Sequence, residues 1–578
     1  MDYQELYCEW LNDPYFDDAT KEELRSIEKD DKEIKERFYK ELEFGTAGLR
    51  GVIGAGTNRM NIYTVRKATQ GLANYIVKKG FQGKGVAIAY DSRRMSPEFA
   101  TEAALCLAAN GIKAYVFESL RPTPELSFAV RNLGCIAGIN ITASHNPPEY
   151  NGYKVYWEDG AQITPPHDKG IMDEVQNVTD YSTMKTMDLE SAKAAGFYVT
   201  IGSEIDDAYM EELKKQVLHW DAIKEVGKDL KVVYSPLHGT GNIPARRILK
   251  ELGFENVYVV KEQELPDGEF PTVSYPNPES EEAFELGLKL AKEVDADLIL
   301  ATDPDADRLG VYVKDSQSGE YRVLTGNMSG CLLEEYELSQ RKAIEGELPK
   351  DGAVISTIVT SNMAGTIAKS YGLRFIEVLT GFKFIGQQIL GFEQSGVGTY
   401  LFGFEESYGC LIGTHARDKD AIVATMALCE AAAYYKTQGK TLWDAMIDMY
   451  EKYGYYKDDI KSITLKGIEG LAKIQEILET LRKEPPVEIA GYKVLKARDY
   501  KADTIKDLVT GEVTTTGLPS SNVLYYDLPD DAWVCVRPSG TEPKVKFYYG
   551  VKGISLEDAQ QKSSQLGTAI LSMIDKML

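Results

Sequence analysis

Ile141-Thr142-Ala143-Ser144-His145-Asn146-Pro147 follows an apolar run, Cys135-Ile136-Ala137-Gly138-Ile139-Asn140. The run has the length and make-up of a buried strand. The chain then breaks at Asn146-Pro147-Pro148, because a residue ahead of proline is pushed out of helical geometry. A serine hydroxyl is thereby presented beside an imidazole at a strand exit, where open α/β sheets bind ligands. A turn of small polar residues fits the same letters, so the rest of the chain must decide between them.

Outward from that strand one pattern recurs. Gly85-Val86-Ala87-Ile88-Ala89-Tyr90 reads as a strand, residues 96–110 as a helix, and Lys113-Ala114-Tyr115-Val116-Phe117 as a second strand. After a helix over 204–226, strands at 230–234, 257–260 and 297–301 alternate with helices at 243–252 and 281–294. A third set of strands falls at 354–359, 374–378 and 399–404. Strands alternating with helices of crossover length argue for mostly parallel α/β sheets. Each unit has a strand that ends in a polar loop, at Ser144, Asp303 and Glu405.

Beyond residue 455 the pattern changes. Lys and Glu fill 456–500, which reads as a solvated helix and linker; strands at 523–527, 532–537 and 545–550 then precede a helix over 556–577. Strands followed by a helix suggest an α+β unit. The expected division is 1–203 for a charged helical arm with Trp10 and Phe16 as anchors plus an α/β domain, 204–325 and 326–455 for two further α/β domains, and 456–578 for a linker and a smaller α+β domain.

At 578 residues the chain exceeds what one core organises. A net charge of −24 opposes long-range attraction to nucleic acid or anionic membrane, and any phosphorylated ligand would need local Arg and Lys clusters. Seven cysteines are scattered without CxxC spacing, and most lie in apolar runs and read as buried thiols. The most apolar helical stretch, 421–435, contains Glu430 and is too short to span a bilayer. A reducing cytoplasm is the expected setting.

Three further loops carry chemistry. Asp303-Pro304-Asp305-Ala306-Asp307-Arg308 places three carboxylates at alternate positions directly after an apolar strand. Their mutual repulsion is relieved by a hard divalent cation, Mg²⁺ or Ca²⁺ rather than Zn²⁺, although a solvated acidic turn has the same composition. Arg537-Pro538-Ser539-Gly540-Thr541-Glu542-Pro543-Lys544 joins two cations, two hydroxyls and a glycine, as an anion nest or an ordinary Pro/Gly turn would. Gly403-Phe404-Glu405-Glu406-Ser407-Tyr408-Gly409 suits either vicinal sugar hydroxyls or a helix N-cap. Thr380-Gly381-Phe382-Lys383, His415-Ala416-Arg417-Asp418-Lys419 and Lys154 supply further cations. No HExxH and no GxSxG surrounds these groups, which argues against zinc and against acyl transfer.

Together these loops resemble the α-D-phosphohexomutases, the phosphoglucomutase and phosphomannomutase family. TASHNP at 142–147, DPDADR at 303–308, GFEES at 403–407 and RPSGTEPK at 537–544 stand in the family's order and span nearly the whole chain. The resemblance implies three similar mixed α/β domains and a smaller C-terminal α+β domain around a central cleft. It implies a phosphoserine at Ser144, with Mg²⁺ held by Asp303, Asp305, Asp307 and the phosphoserine oxygen. Arg50, His145, Lys154 and Lys419 match catalytic positions. Arg308, Gly381, Lys383, Glu405 and Ser407 match substrate-binding positions, and Arg537, Ser539, Gly540, Thr541 and Lys544 match the grip on the phosphate that is not transferred. The implied reaction passes a phosphoryl group through a bisphosphorylated sugar, with glucose 1,6-bisphosphate as activator and intermediate, and a sugar phosphate as the partner. GFEESYG is nearer the glucose-handling branch than the GEMSGH form of mannomutases, and FGTAGLRG at 44–51 resembles a long-chain subgroup that includes phosphopentomutases. Interconversion of glucose 1-phosphate and glucose 6-phosphate is the expected reaction, with mannose and pentose phosphates as alternatives.

Overall fold

The Ala137–Ile141 strand is fully buried, with the Val86–Tyr90 strand parallel on one side and the Tyr150–Trp157 strand antiparallel on the other. This computed structural model describes residues 2–43, 48–465, 467–539 and 544–578. Residues 44–47 of the FGTAGLRG stretch and 540–543 of the RPSGTEPK stretch lie outside the described residues. Alternation along Val86–Tyr90 sends Val86 and Ile88 into one core and Ala87 and Ala89 into another. Helices Ile62–Lys78 and Ser96–Ala109 cover the first face and Thr123–Asn132 the second. A strand buried on both faces is apolar throughout, which is why this one reads so clearly. The sheet has six strands, with Leu49–Val52 and Tyr198–Ile201 at its edges.

The next two sheets repeat one strand order. Lys231–Ser235 pairs in parallel with Asn256–Val259 and with Leu298–Thr302, and Leu298–Thr302 turns back into antiparallel Leu309–Lys314. Gly352–Thr357 likewise pairs in parallel with Arg374–Val378 and Thr399–Glu405, and Thr399–Glu405 turns back into Gly409–Leu411. In all three sheets the polar loop of interest joins the third parallel strand to an antiparallel neighbour. The mostly parallel expectation is therefore refined: each sheet is mixed, and its hairpin carries the loop. One core cluster runs continuously from Ala87 through Val232 and Phe402 to Tyr456, so the three units pack as one body.

The linker read at 456–500 is corrected. Tyr455–Thr464 is a strand of the C-terminal sheet, paired with Lys544–Gly553 through ten residues from Tyr455↔Gly553 to Thr464↔Lys544. It is an edge strand of that seven-stranded sheet, and edge strands tolerate charge on their open side, which hides them in a Lys- and Asp-rich sequence. The following helix, Gly467–Lys483, is solvated on one face only: Leu471, Gln475, Glu476 and Thr480 are exposed, while Ile474, Ile477, Leu478 and Leu481 pack with Val534, Phe547 and Ile570. The helix read over 204–226 is two, Ser203–Lys214 and Trp220–Val226, and Glu430 accepts the freed Leu218 and His219 N–H groups between them at 2.9 Å each.

The N-terminal arm is three short helices, Tyr3–Asn12, Asp18–Ser26 and Asp31–Phe38, capped by the Asp2, Asp17 and Asp30 side chains. Trp10 and Phe16 stack with centroids 4.3 Å apart inside an aromatic cluster that includes Tyr63 of the first unit.

Candidate active site

The three hairpin loops and the C-terminal sheet converge on one cleft of about 980 Å³. Arg50, Ser144, His145, Lys154, Asp307, Arg308, Gly381, Lys383, Glu405, Ser407, Lys419, Arg537, Ser539 and Lys544 line it. Asp303 and Asp305 are fully buried. Gly540 and Thr541 lie outside the described residues.

Ser144 has φ 53°, a left-handed conformation that is unfavourable for a side chain beyond Cα. Ala306 at φ 51° and Tyr408 at φ 63° turn the other two loops in the same sense. The Ser144 hydroxyl donates to Asp303 Oδ2 at 2.8 Å, and His145 Nδ1 lies 3.2 Å from Ser144 Oγ. Burial, with the Arg308 and Arg50 charges nearby, holds the His145 imidazole well below its usual range, so it stays neutral. Arg50, on the edge strand beside the loop, donates to Asn146 Oδ1 at 3.1 Å.

The aspartate loop is a carboxylate cage. Asp303, Asp305 and Asp307 each offer an oxygen, all within 4.8 Å of one another, and all three residues are buried. Burial and the Asp305 and Asp307 charges push the Asp303 carboxyl up, whereas Asp305 is held low against its burial by Lys154, whose Nζ donates to it at 2.9 Å, and by Thr123 Oγ1, also at 2.9 Å. Among the described residues, Asp305 Oδ1 and Asp307 Oδ1 are buried without a hydrogen-bond partner. Orphaned buried carboxylate oxygens in an all-oxygen set fit a hard divalent cation, and the loop is able to hold one.

One cation ties this cage to the Glu405 loop. Lys419 Nζ reaches Asp418 Oδ1 at 2.9 Å, Asp307 Oδ2 at 3.1 Å and Glu405 Oε1 at 3.8 Å. Although burial opposes its charge, Asp307 and Asp418 keep the Lys419 ammonium protonated. Arg308 pairs with Glu279 at 3.1 Å. Ser407 Oγ donates to Glu405 Oε1 at 2.9 Å, which fixes that carboxylate at the cleft wall. Burial and the Glu405 charge push the adjacent Glu406 carboxyl up to about 7. Gly381, at φ 120°, turns the chain into the Phe382–Ser395 helix; burial lowers the Lys383 ammonium.

On the C-terminal sheet, Arg537 lies directly opposite Lys546 across antiparallel strands. Like charges so placed repel. Burial, Lys544 and Arg537 together lower the Lys546 ammonium, and all three cations face the cleft. An anion is the natural occupant. Lys546 escaped the reading of the motif, which stops at Lys544, yet the alternation Lys544-Val545-Lys546 places both lysines on one strand face. Thr123 was also missed, and so was Arg93, which follows the Val86–Tyr90 strand as Ser144 follows its own.

Residues 41–182, 207–319 and 325–453 match in order the three family descriptions of phosphoglucomutase/phosphomannomutase, alpha/beta/alpha domains I, II and III. A phosphoglucomutase of Staphylococcus saprophyticus is 38% identical over 521 residues, covering 90% of this chain and 92% of the relative. A phosphoglucomutase of Staphylococcus aureus is 38% identical over 533 residues, covering 92% and 93%. Among solved structures, Paramecium parafusin, described as a phosphoglucomutase in its open form, shares the fold with a TM-score of 0.67 at 19% identity, over 93% of this chain and 95% of that one. The chain belongs to the phosphoglucomutase/phosphomannomutase family of α-D-phosphohexomutases.

Proposed function

We propose that the protein is a phosphoglucomutase that interconverts glucose 1-phosphate and glucose 6-phosphate through a phosphorylated Ser144 and bound glucose 1,6-bisphosphate. The observation that carries this is the Ser144 hydroxyl at 2.8 Å from Asp303, in a cleft that the Arg537, Lys544 and Lys546 cluster also lines. A phosphoryl carrier and a separate anion grip lining one cleft suit a ligand with two phosphates. The names of relatives at 38% identity support glucose as the sugar.

Ser144, Asp303, Asp305 and Asp307 would hold Mg²⁺, which supplies charge neutralisation at the phosphoryl oxygens. Arg50 and Lys154 add positive charge beside the serine. A sugar hydroxyl attacks phosphorus, the bond from phosphorus to Ser144 Oγ breaks, and the serine oxygen regains a proton. Neutral His145, 3.2 Å away, is placed to exchange that proton. Glu405 and Ser407 bind sugar hydroxyls, while Arg308, Lys383 and Lys419 neutralise the ligand's remaining charge. Arg537, Ser539, Lys544 and Lys546 grip the other phosphate. After reorientation the second half-reaction returns the phosphoryl group to Ser144. The cytoplasm, as a reducing compartment, suits seven free cysteines of which six are buried.

The test is a substrate panel with Mg²⁺ and glucose 1,6-bisphosphate, comparing kcat/KM for glucose, mannose, N-acetylglucosamine and pentose 1-phosphates. Glucose 1-phosphate is expected to lead. Ser144→Ala is expected to lower turnover by roughly 10⁴-fold or more, and to abolish incorporation of a phosphoryl group into the protein. Phosphate release without isomerisation would instead mark a phosphatase.

A further inference from the structure

Arg93 stands three residues beyond the Val86–Tyr90 strand, with its side chain fully buried. Its guanidinium is committed to the backbone of the serine loop. Nη1 donates to the Pro147 carbonyl at 2.8 Å and the Tyr150 carbonyl at 3.0 Å; Nη2 donates to the Ser144 carbonyl at 2.6 Å and also to the Asn146 carbonyl. Asp91 Oδ2 lies 3.3 Å from Arg93 Nε. The same Asp91 oxygen accepts from Thr142 Oγ1 at 2.6 Å, and that hydroxyl oxygen accepts the Ser144 N–H at 2.9 Å. The amide and the carbonyl of Ser144 thus both lead to one buried ion pair. A residue at φ 53° keeps an unfavourable backbone conformation only where its surroundings over-determine it.

The bracket is closed from another unit of the fold. The Arg93 guanidinium lies 5.0 Å from the centroid of Phe270, a fully buried ring of the second α/β unit. Two residues earlier, Gly268 approaches so closely that an added Cβ would lie 2.7 Å from Arg94 N. The ring behind Arg93 therefore comes from the unit that also carries Asp303.

We infer that Arg93, backed by Asp91 and Phe270, is a positioning residue that sets the Ser144 hydroxyl against the aspartate loop. This rests on Ser144 being the phosphoryl carrier. Lysine cannot substitute, since a point charge on a flexible stem does not reproduce a planar fork that reaches four carbonyls.

The experiment uses the full chain with Mg²⁺, glucose 1-phosphate and glucose 1,6-bisphosphate. Arg93→Ala is expected to lower kcat about 100-fold, the scale of a misplaced reacting group. KM should stay near the wild-type value, because the lost interaction acts on the transition state. Millimolar guanidinium chloride should restore kcat of R93A at least about tenfold, while Arg93→Lys stays impaired. A general loss of structure would not respond to guanidinium. Phe270→Leu keeps Arg93 and its hydrogen bonds, is expected to lower kcat about tenfold, and decides the matter where R93A does not fold. The inference is overturned by wild-type kcat in R93A, by failure of guanidinium to rescue a folded R93A, or by wild-type kcat in F270L. A wild-type protein without mutase turnover would overturn the assigned reaction instead.

Discussion

Lys419 Nζ and Asp307 Oδ2 meet at 3.1 Å across the boundary between the second and third α/β units. The lysine is equally committed to Asp418 at 2.9 Å, so one buried ammonium joins two units and two loops. Removing one partner of a buried ion pair leaves an uncompensated charge, which costs about 3–5 kcal/mol. Lys419→Met is expected to lower the unfolding free energy by about 3 kcal/mol or more, together with turnover. Urea unfolding checks this, and a wild-type midpoint for K419M would show that the bridge contributes nothing.

Arg537 and Lys546 make the opposite prediction for stability. Cross-strand like charges destabilise by about 0.2–1 kcal/mol, so Lys546→Met is expected to raise the melting temperature of the unliganded protein slightly. The same change removes a charge-assisted contact to phosphate, worth about 1.5–3 kcal/mol, and should lower kcat/KM roughly 10- to 100-fold. A variant that is both less stable and fully active would contradict the assignment of this part of the cleft.

Glu406 predicts a pH dependence of activity. Its carboxyl is pushed up to about 7 by burial and by Glu405, so it is neutral below that pH and ionised above it. Ionisation adds negative charge to a cleft that must receive phosphate, so kcat/KM is expected to fall as pH rises through about 7. Glu406→Gln should flatten that limb of the profile relative to wild type. An unchanged inflection would assign it to the substrate or to another group.

The orphaned oxygens of Asp305 and Asp307 predict metal-linked stability. Mg²⁺ at about 100 times its dissociation constant should stabilise the fold by about 2.7 kcal/mol, read as a rise in melting temperature. Chelation should reverse the rise and abolish turnover, and Mg²⁺ should restore both. No thermal response to Mg²⁺ would count against the cage.

Much of the site is legible in sequence because its residues sit in short loops directly after apolar strands. Ser144, the aspartate triplet and Glu405 each follow a run that must be buried, and burial makes such runs conspicuous. Tyr455–Thr464 shows the converse: an open edge permits Lys and Asp, and the strand reads as linker until its partner is known. Lys546 was within reach, since period-two spacing from Lys544 predicts a shared face. Arg93 was not. It acts on backbone carbonyls, which every residue possesses, so no side-chain pattern in its targets could betray it. Its partner Phe270 is brought near only by the packing of two units.

The three hairpins suggest how this architecture accommodates change. In each unit the parallel strands and their helices form the body of the sheet, while the loop hangs between the third of them and an antiparallel neighbour. Length and chemistry can vary in one hairpin without disturbing a parallel crossover or either of the other two loops. Under the proposed function, a lineage could therefore retarget the Glu405 hairpin toward another sugar while the Ser144 and Asp303 hairpins keep their register. On that reading, substrate choice and phosphoryl chemistry would be inherited on separate pieces of chain.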